Sequence, residues 1–280
     1  MDKLLLVDGS NLLFQMFYGM PARILNGQGK PIQGTLGFVG ALLKIIRRIE
    51  PTHVAVLFDG ECHNDRTDID ENYKANREDF SQMAEEDTPF SQMPDVYRAL
   101  DYMGICHRET TDCETDDWVA SYCRKYGQTT QIVIASQDSD FFQLITDQVN
   151  VLRYRGEKSL VCDKNYIEEK LGIAPEWYAD FKSLTGDTAD NIKGADKVGP
   201  KTAAQLVREF GSLEQILDGA EQITKPSVRV SILANRERLR KNYKLIYLTG
   251  EAELPFPIEE LSYRYDGITT TQVLTAIGVR

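Results

Sequence analysis

Positive charge is in short supply in this chain. It carries 32 Lys and Arg against 43 Asp and Glu, a net charge of −11 over 280 residues. Backbone phosphates prefer basic proteins, so the overall balance does not favour a nucleic-acid partner, and any such partner must be held by local basic groups. Histidine is scarce too. The three present, His53, His63 and His107, lie apart in no metal-ligand or triad spacing and are read as structural. The five cysteines (Cys62, Cys106, Cys113, Cys123, Cys162) are odd in number and form no C-x-x-C pair. Neither a disulfide framework nor a zinc site is suggested, and such usage fits a reducing cytoplasm. The apolar run Leu4–Val7 is too short for a signal peptide, and no stretch could span a bilayer. No G-x-G-x-x-G follows the first strand-like run and no G-x-x-x-x-G-K-S/T occurs, which argues against dinucleotide or Walker-type nucleotide binding.

What the chain does have is acid in groups. Nine carboxylates fall in five clusters: Asp8; Asp59; Glu114, Asp116 and Asp117; Asp138 and Asp140; Asp187 and Asp190. The first four clusters sit where an apolar strand-like run ends or a helix begins. KLLLVDG, HVAVLFDG and QIVIAS read as buried strands, and LGFVGALLKIIRRI as a helix with its basic residues at the end that the dipole prefers. Short apolar strands separated by helices predict an α/β domain with a mainly parallel central sheet. Ligands of such sheets bind beyond the carboxyl ends of the strands, where Asp8, Asp59 and Asp138 lie. Carboxylates gathered in one cleft repel one another, and hard divalent cations with oxygen ligands relieve that repulsion. The pattern points to metal-dependent phosphoryl chemistry.

Each motif also has a plainer reading. Asp-Gly is a common turn signal. Acids at the start of the helix WVASYCRKY favour its dipole, although that explains three in four residues poorly. One of Asp138 and Asp140 could cap the helix expected at FFQLI, and Asp187 with Asp190 could sit in a solvated loop between helices. Residues 61–92 form a long polar stretch in which Arg66, Tyr73, Lys74 and Arg77 supply cations and an aromatic ring. They read either as solvated surface or as a phosphate clamp, with Lys74 stabilising charge on a scissile phosphate and Tyr73 stacking on a base. VLRYRGEKSLVCD reads as a hairpin around Gly156, and the pattern from about Pro175 is nearly all helical. There KVGPKTAAQLV reads as helix, tight turn, helix, able to offer backbone amides to a phosphate. The expected division is an α/β core over 1–175 and a helical subdomain over 176–280.

In series, LLLVDGSNLL, VAVLFDG, Arg66…Tyr73-Lys74-x-x-Arg77, CETDD, IASQDSDFFQLI, SLTGDTADNIKG and KVGPKTAAQLV resemble the 5′-nuclease (flap endonuclease) family. The likeness is to the 5′→3′ exonuclease domain of bacterial DNA polymerase I and its stand-alone bacterial relatives. It covers about Leu4 to Tyr247 and implies a PIN-like nuclease core. It further implies Asp8, Asp59, Glu114, Asp116 and Asp138 at a first metal, with Asp117, Asp140, Asp187 and Asp190 at a second. The metal would be Mg²⁺ or Mn²⁺, in two or more ions, with Asp138 and Lys74 catalytic and Arg77 on the phosphate. Residues 61–92 would form a helical arch that passes a 5′ single strand. Residues 191–210, with Lys193, Gly199, Lys201 and Thr202, would form a helix-three-turn-helix that grips duplex DNA, which in the family often holds a K⁺. The implied activity is two-metal hydrolysis of DNA at a 5′ flap, nick or 5′ end by a cytoplasmic monomer, in replication and repair. No polymerase-type segment follows residue 280, so a stand-alone or truncated chain is expected.

Three positions depart from the family pattern. Gln15 stands where arginine is common, Asp65 replaces an aromatic, and Lys197 replaces the first glycine of the usual G-x-G turn. Lysine is costly at that turn if it needs a positive φ. Two other readings stay open: a non-catalytic DNA-junction binding protein, and a PIN-like RNA nuclease lacking an arch.

Overall fold

The computed structural model describes residues 2–60, 65–76, 84 and 87–280. Arg77, and the arch expected over 61–92 except for 65–76, 84 and 87–92, lie outside the described residues. The elements of the first half are β1 (Lys3–Asp8), α1 (Gly9–Gly19), α2 (Gln33–Ile49), β2 (His53–Phe58), α3 (Asp65–Ile69), α4 (Met93–Tyr102) and β3 (Cys106–Glu109). They continue as α5 (Thr115–Tyr126), β4 (Gln131–Ala135), β5 (Val149–Arg153), β6 (Leu160–Cys162) and α6 (Lys164–Leu171). The rest comprises α7 (Tyr178–Thr185), β7 (Gly186–Asp187), β8 (Ile192–Lys193), α8 (Pro200–Phe210), α9 (Leu213–Asp218), α10 (Pro226–Ala234), α11 (Arg236–Ile246) and α12 (Thr270–Ala276).

The predicted α/β architecture with a mainly parallel sheet is the observed one. The sheet order is β3-β2-β1-β4-β5-β6, parallel except for β6, which returns antiparallel to β5. Its central strand is apolar on both sides because both faces are covered by helices. Leu4 and Leu6 join the core with Trp118, Val119 and Tyr122 of α5. Leu5 and Val7 join the opposite core with Phe38, Leu42 and Ile46 of α2. Alternation along one strand thus feeds two hydrophobic layers. The strand order reverses between β1 and β4, which opens a crevice at their carboxyl ends. Asp8, the last residue of β1, stands at that crevice.

Several local expectations meet a different outcome. FFQLI lies in a 3₁₀ turn, Asp140–Leu144, and not in an α-helix. The Asp138 carboxylate accepts from the Asp140 amide and closes the turn, and β5 begins at Val149, leaving no room for more turns. β3 escaped the sequence reading because it is four residues long and only half-buried. The loop expected at Asp187–Asp190 is the tip of a hairpin, β7 paired with β8. The last stretch is not all helical: between Tyr247 and Thr269 the one regular piece is a 3₁₀ turn at Ile258–Leu261. That stretch returns to the α/β core, where the Tyr263 amide donates to the Thr52 carbonyl at 2.8 Å. Val273 of α12 joins the core layer of α2 and α4. The hairpin at Gly156 forms as predicted, with the glycine at φ 61°. Among the described residues, no helix is long and apolar enough to cross a membrane.

Gly60 is fixed by close approach. A Cβ there would lie 2.0 Å from the Thr110 carbonyl oxygen, while its amide donates to Thr110 Oγ1 at 2.9 Å. Gly60→Ala should therefore cost about 1–3 kcal/mol and shift the neighbouring Asp59. The measurement is the urea midpoint, and an unchanged midpoint would show that the contact relaxes freely.

Candidate active site

Four strand-to-helix junctions deliver carboxylates to the crevice. Asp8 ends β1 and caps α1, its Oδ1 accepting from the Asn11 amide at 2.9 Å and its Oδ2 from Ser136 Oγ at 2.8 Å. Asp59 follows β2 and accepts from the Thr115 amide at 2.9 Å, so it is tied to the first turn of α5. Asp138 follows β4, with its amide on Ser136 Oγ at 3.0 Å. Ser136 thus links the Asp8 carboxylate of β1 to the Asp138 backbone after β4. Glu114 and Asp116 enter at the start of α5, and Asp140, Asp187 and Asp190 from the 3₁₀ turn and the β7–β8 tip.

These groups sense one another. Burial and then the Asp59 charge push Asp8 up to about 7 from the ordinary 3.8. Burial and then the Asp138 charge push Asp140 up to about 7. Asp116 is raised well above the carboxylate range by burial, then by Asp138 and Asp59. Asp138 is raised by burial and by Asp190, against the pull of its hydrogen bond to the Asp140 amide. The predicted carboxylates of all five clusters therefore share one electrostatic neighbourhood.

The donor set fits a divalent cation. Asp140, Asp187 and Asp190 each offer an oxygen, and the three oxygens lie within 4.8 Å of one another. Among the described residues, the buried Oδ1 of Asp140 has no hydrogen-bond partner. Hard oxygen donors around an unfilled buried acceptor suit Mg²⁺ or Mn²⁺ better than a soft ion.

Side-chain cations partly balance the acids. Lys74 Nζ is 2.6 Å from Glu114 Oε1. Lys182 of α7 forms an ion pair with Asp187 and lies 3.6 Å from Asp140 Oδ1. Burial alone would lower the Lys182 pKa, but Tyr178, Asp140 and Asp187 hold it above the ordinary lysine range. Lys182 was not foreseen, since a single lysine in an amphipathic helix normally reads as surface. Ser136 was missed because nothing in a serine after a strand announces a carboxylate partner on another strand.

Three residues with expected roles have internal partners. Arg66, expected on DNA, is 8% exposed. Its guanidinium donates to Glu114 at 3.1 Å, to both oxygens of Asp117 at 2.9 and 2.7 Å, and to the Leu245 carbonyl at 3.0 Å. Asp117, expected at the second metal, is consumed by that fork and by the Glu114 amide at 3.1 Å. Tyr73, expected to stack on a base, is 7% exposed, packed with Ala179, Ile192, Leu245 and Ile246, and donates to Glu114 Oε2 at 3.3 Å. Gln15 donates to the Tyr154 carbonyl at 2.7 Å. Lys193 and Lys201 are exposed, Thr202 is half-buried, and Gly199 precedes α8 as its cap. Lys197 adopts φ 66°, the left-handed conformation that made lysine costly there.

The profile of the 5′-3′ exonuclease N-terminal resolvase-like domain matches residues 3–172, and that of the 5′-3′ exonuclease C-terminal SAM fold matches residues 173–267. The chain belongs to the 5′-3′ exonuclease family. It is 35% identical to DNA polymerase I of Rhizobium leguminosarum over 269 residues, covering 93% of this chain and 26% of that protein. The chain thus spans about a quarter of that polymerase. It is 29% identical to the 5′-3′ exonuclease of Aquifex aeolicus, covering 94% of this chain and 88% of the relative. The fold matches the T5 D15 protein co-crystallized with metal ions, with TM-score 0.73, 24% identity and coverage of 88% of this chain and 89% of that one. It also matches human GEN1 in complex with Holliday junction DNA, with TM-score 0.63, 15% identity and coverage of 98% of this chain and 66% of that one.

The raised carboxylates fix the sign of a pH effect. Between about pH 4 and 7 the folded state binds more protons at Asp8 and Asp140 than the unfolded chain does, so stability falls as pH rises through that window. In EDTA the thermal midpoint should decline from pH 5 to 8, and Asp140→Asn should flatten the decline. A midpoint that rises over this range would contradict the assigned electrostatics.

Proposed function

We propose that the chain is a divalent-metal-dependent, structure-specific 5′-nuclease, with 5′→3′ exonuclease and 5′-flap endonuclease activity on DNA. The observation that carries this reading is the meeting of carboxylates from distant stretches at the carboxyl ends of β1, β2 and β4, raised by burial and then by one another's charge. Family membership supports the same chemistry.

Asp8, Asp59, Glu114, Asp116 and Asp138 would hold one ion, and Asp140, Asp187 and Asp190 a second. The chemistry supplied by bound Mg²⁺ or Mn²⁺ is Lewis-acid stabilisation of the reacting phosphate and acidification of a water. Asp117 serves this site indirectly, by locking Arg66 and the first turn of α5. Lys74 would move its ammonium from Glu114 to the scissile phosphate when DNA enters, stabilising the charge that develops there. Water attacks phosphorus, the bond to the 3′ oxygen breaks, and that oxygen takes a proton. The products carry a 5′-phosphate and a 3′-hydroxyl.

The preferred substrate is DNA with a 5′ flap, nick or 5′ end beside duplex, recognised by shape with little base readout. The 61–92 segment would take the single strand. Lys193, Gly199, Lys201 and Thr202 would face the duplex backbone, beside a K⁺ whose site must tolerate the strained Lys197. Residues 1–175 would act as the nuclease core and 176–280 as the DNA-binding subdomain of a monomer in the bacterial cytosol. With Asp117, Arg66 and Tyr73 engaged internally, the exposed lysines carry the electrostatic part of binding.

Product mapping on a labelled 5′-flap duplex with Mg²⁺, Mn²⁺ or EDTA tests the proposal. Cleavage near the flap base with either metal and none in EDTA is expected; metal-independent cleavage, or no cleavage of any 5′ structure, would overturn it. Asp138→Asn should nearly abolish turnover while DNA binding stays measurable. Lys74→Ala should slow single-turnover cleavage by about 10²–10³ with metal binding retained in calorimetry.

A further inference from the structure

The turn that carries Lys74 is not a conformation the chain holds by itself. Lys74 has φ 58°, in the left-handed region where side chains other than glycine are strained. Strain of this kind persists only where surrounding structure over-determines it. The surrounding structure is the tip of the β7–β8 hairpin. The Lys74 amide donates to the Asp190 carbonyl at 3.0 Å. Asn191 Nδ2 donates to the Asn72 carbonyl at 2.9 Å, and Asn76 Nδ2 donates to the Thr188 carbonyl at 2.8 Å. Three hydrogen bonds thus cross between residues 72–76 and residues 188–191, two in one direction and one in the other.

The hairpin tip has its own left-handed residue, Asn191 at φ 59°, and asparagine tolerates that conformation better than most. The same tip carries Asp187 and Asp190, two of the three carboxylates that converge with Asp140. One short piece of backbone therefore carries two of the carboxylates and holds the turn that carries Lys74. Nothing in the sequence spacing joins positions 74 and 191.

We propose that Asn191 is a positioning residue. Its amide latches the Lys74 turn to the carboxylate-bearing hairpin tip and so holds the lysine in register with the ions bound there. The proposal deepens the nuclease reading and rests on it for its kinetic consequence. The geometric part, that Asn191 fixes the Lys74 backbone, can be read without any cleavage. Asn76 is the second arm of the same latch, with its side-chain amide on the Thr188 carbonyl.

Asn191→Gly deletes the amide and keeps the backbone freedom that φ 59° requires. By NMR, hydrogen exchange at the Lys74 amide should quicken by about tenfold or more, whereas core amides of β1 stay protected. Single-turnover flap cleavage should fall between about 10- and 100-fold, with DNA affinity in Ca²⁺ unchanged. In a Lys74→Ala background the same substitution should cause no further loss, because the latch acts through the lysine. Asn76→Ala should show a loss with the same dependence on Lys74, and it keeps the test open if Asn191→Gly folds poorly. Unaltered exchange at Lys74, or an equal loss of rate with and without Lys74, would overturn the latch. Quickened exchange with a fully active Lys74→Ala enzyme would leave the latch standing and discard the nuclease role of Lys74 instead.

Discussion

Repulsion between carboxylates governs this molecule. Two like charges held at the spacing of the Asp140, Asp187 and Asp190 oxygens, within 4.8 Å, oppose each other by roughly 3 kcal/mol at an effective dielectric near 20. No chain gathers such groups for stability. The crevice tolerates them through three kinds of compensation. Backbone amides and Ser136 donate to Asp8, Asp59 and Asp138. Buried cations, Lys182 and Arg66, sit against Asp187 and against Glu114 and Asp117. Protonation meets the remainder, because burial and then neighbouring charge push Asp8 and Asp140 up to about 7. A divalent cation would replace the third of these, and the proposed activity follows from that substitution.

The same constraint explains how the parts are tied together. The root of the polar segment is anchored twice to α11, by the Arg66 bond to the Leu245 carbonyl and by the 2.7 Å pair between Lys241 and Asp70. It is anchored again to the β7–β8 tip by the bonds around Lys74. A residue meant to stabilise charge on a substrate must stand near several acids without being captured by any one of them. Its backbone is therefore held from both sides, while its ammonium shares Glu114 with Arg66 and Tyr73.

Much of this was legible before folding. Buried strands ending in Asp8 and Asp59 follow from apolar runs stopped by Asp-Gly, and a parallel sheet sends such ends to one edge. The hairpin at Gly156 followed from its glycine, and the penalty at Lys197 from a side chain where the family has none. What the sequence did not announce is the internal partners of Arg66 and Tyr73: Asp117 and Glu114 occupy the guanidinium, and a small apolar cluster covers the ring.

The sequence by itself determined which residues end strands and which groups carry charge, because local periodicity and turn chemistry depend on neighbours in the chain. It therefore determined that acids would collect at one edge of an α/β sheet. Tertiary structure alone decided which carboxylates stay open to a cation and which are closed by a partner. That choice depends on contacts such as Arg66 to Asp117, Lys182 to Asp187 and Lys74 to Glu114, whose members stand 51, 5 and 40 positions apart. Charge is a property of a residue; its availability is a property of what the fold sets beside it.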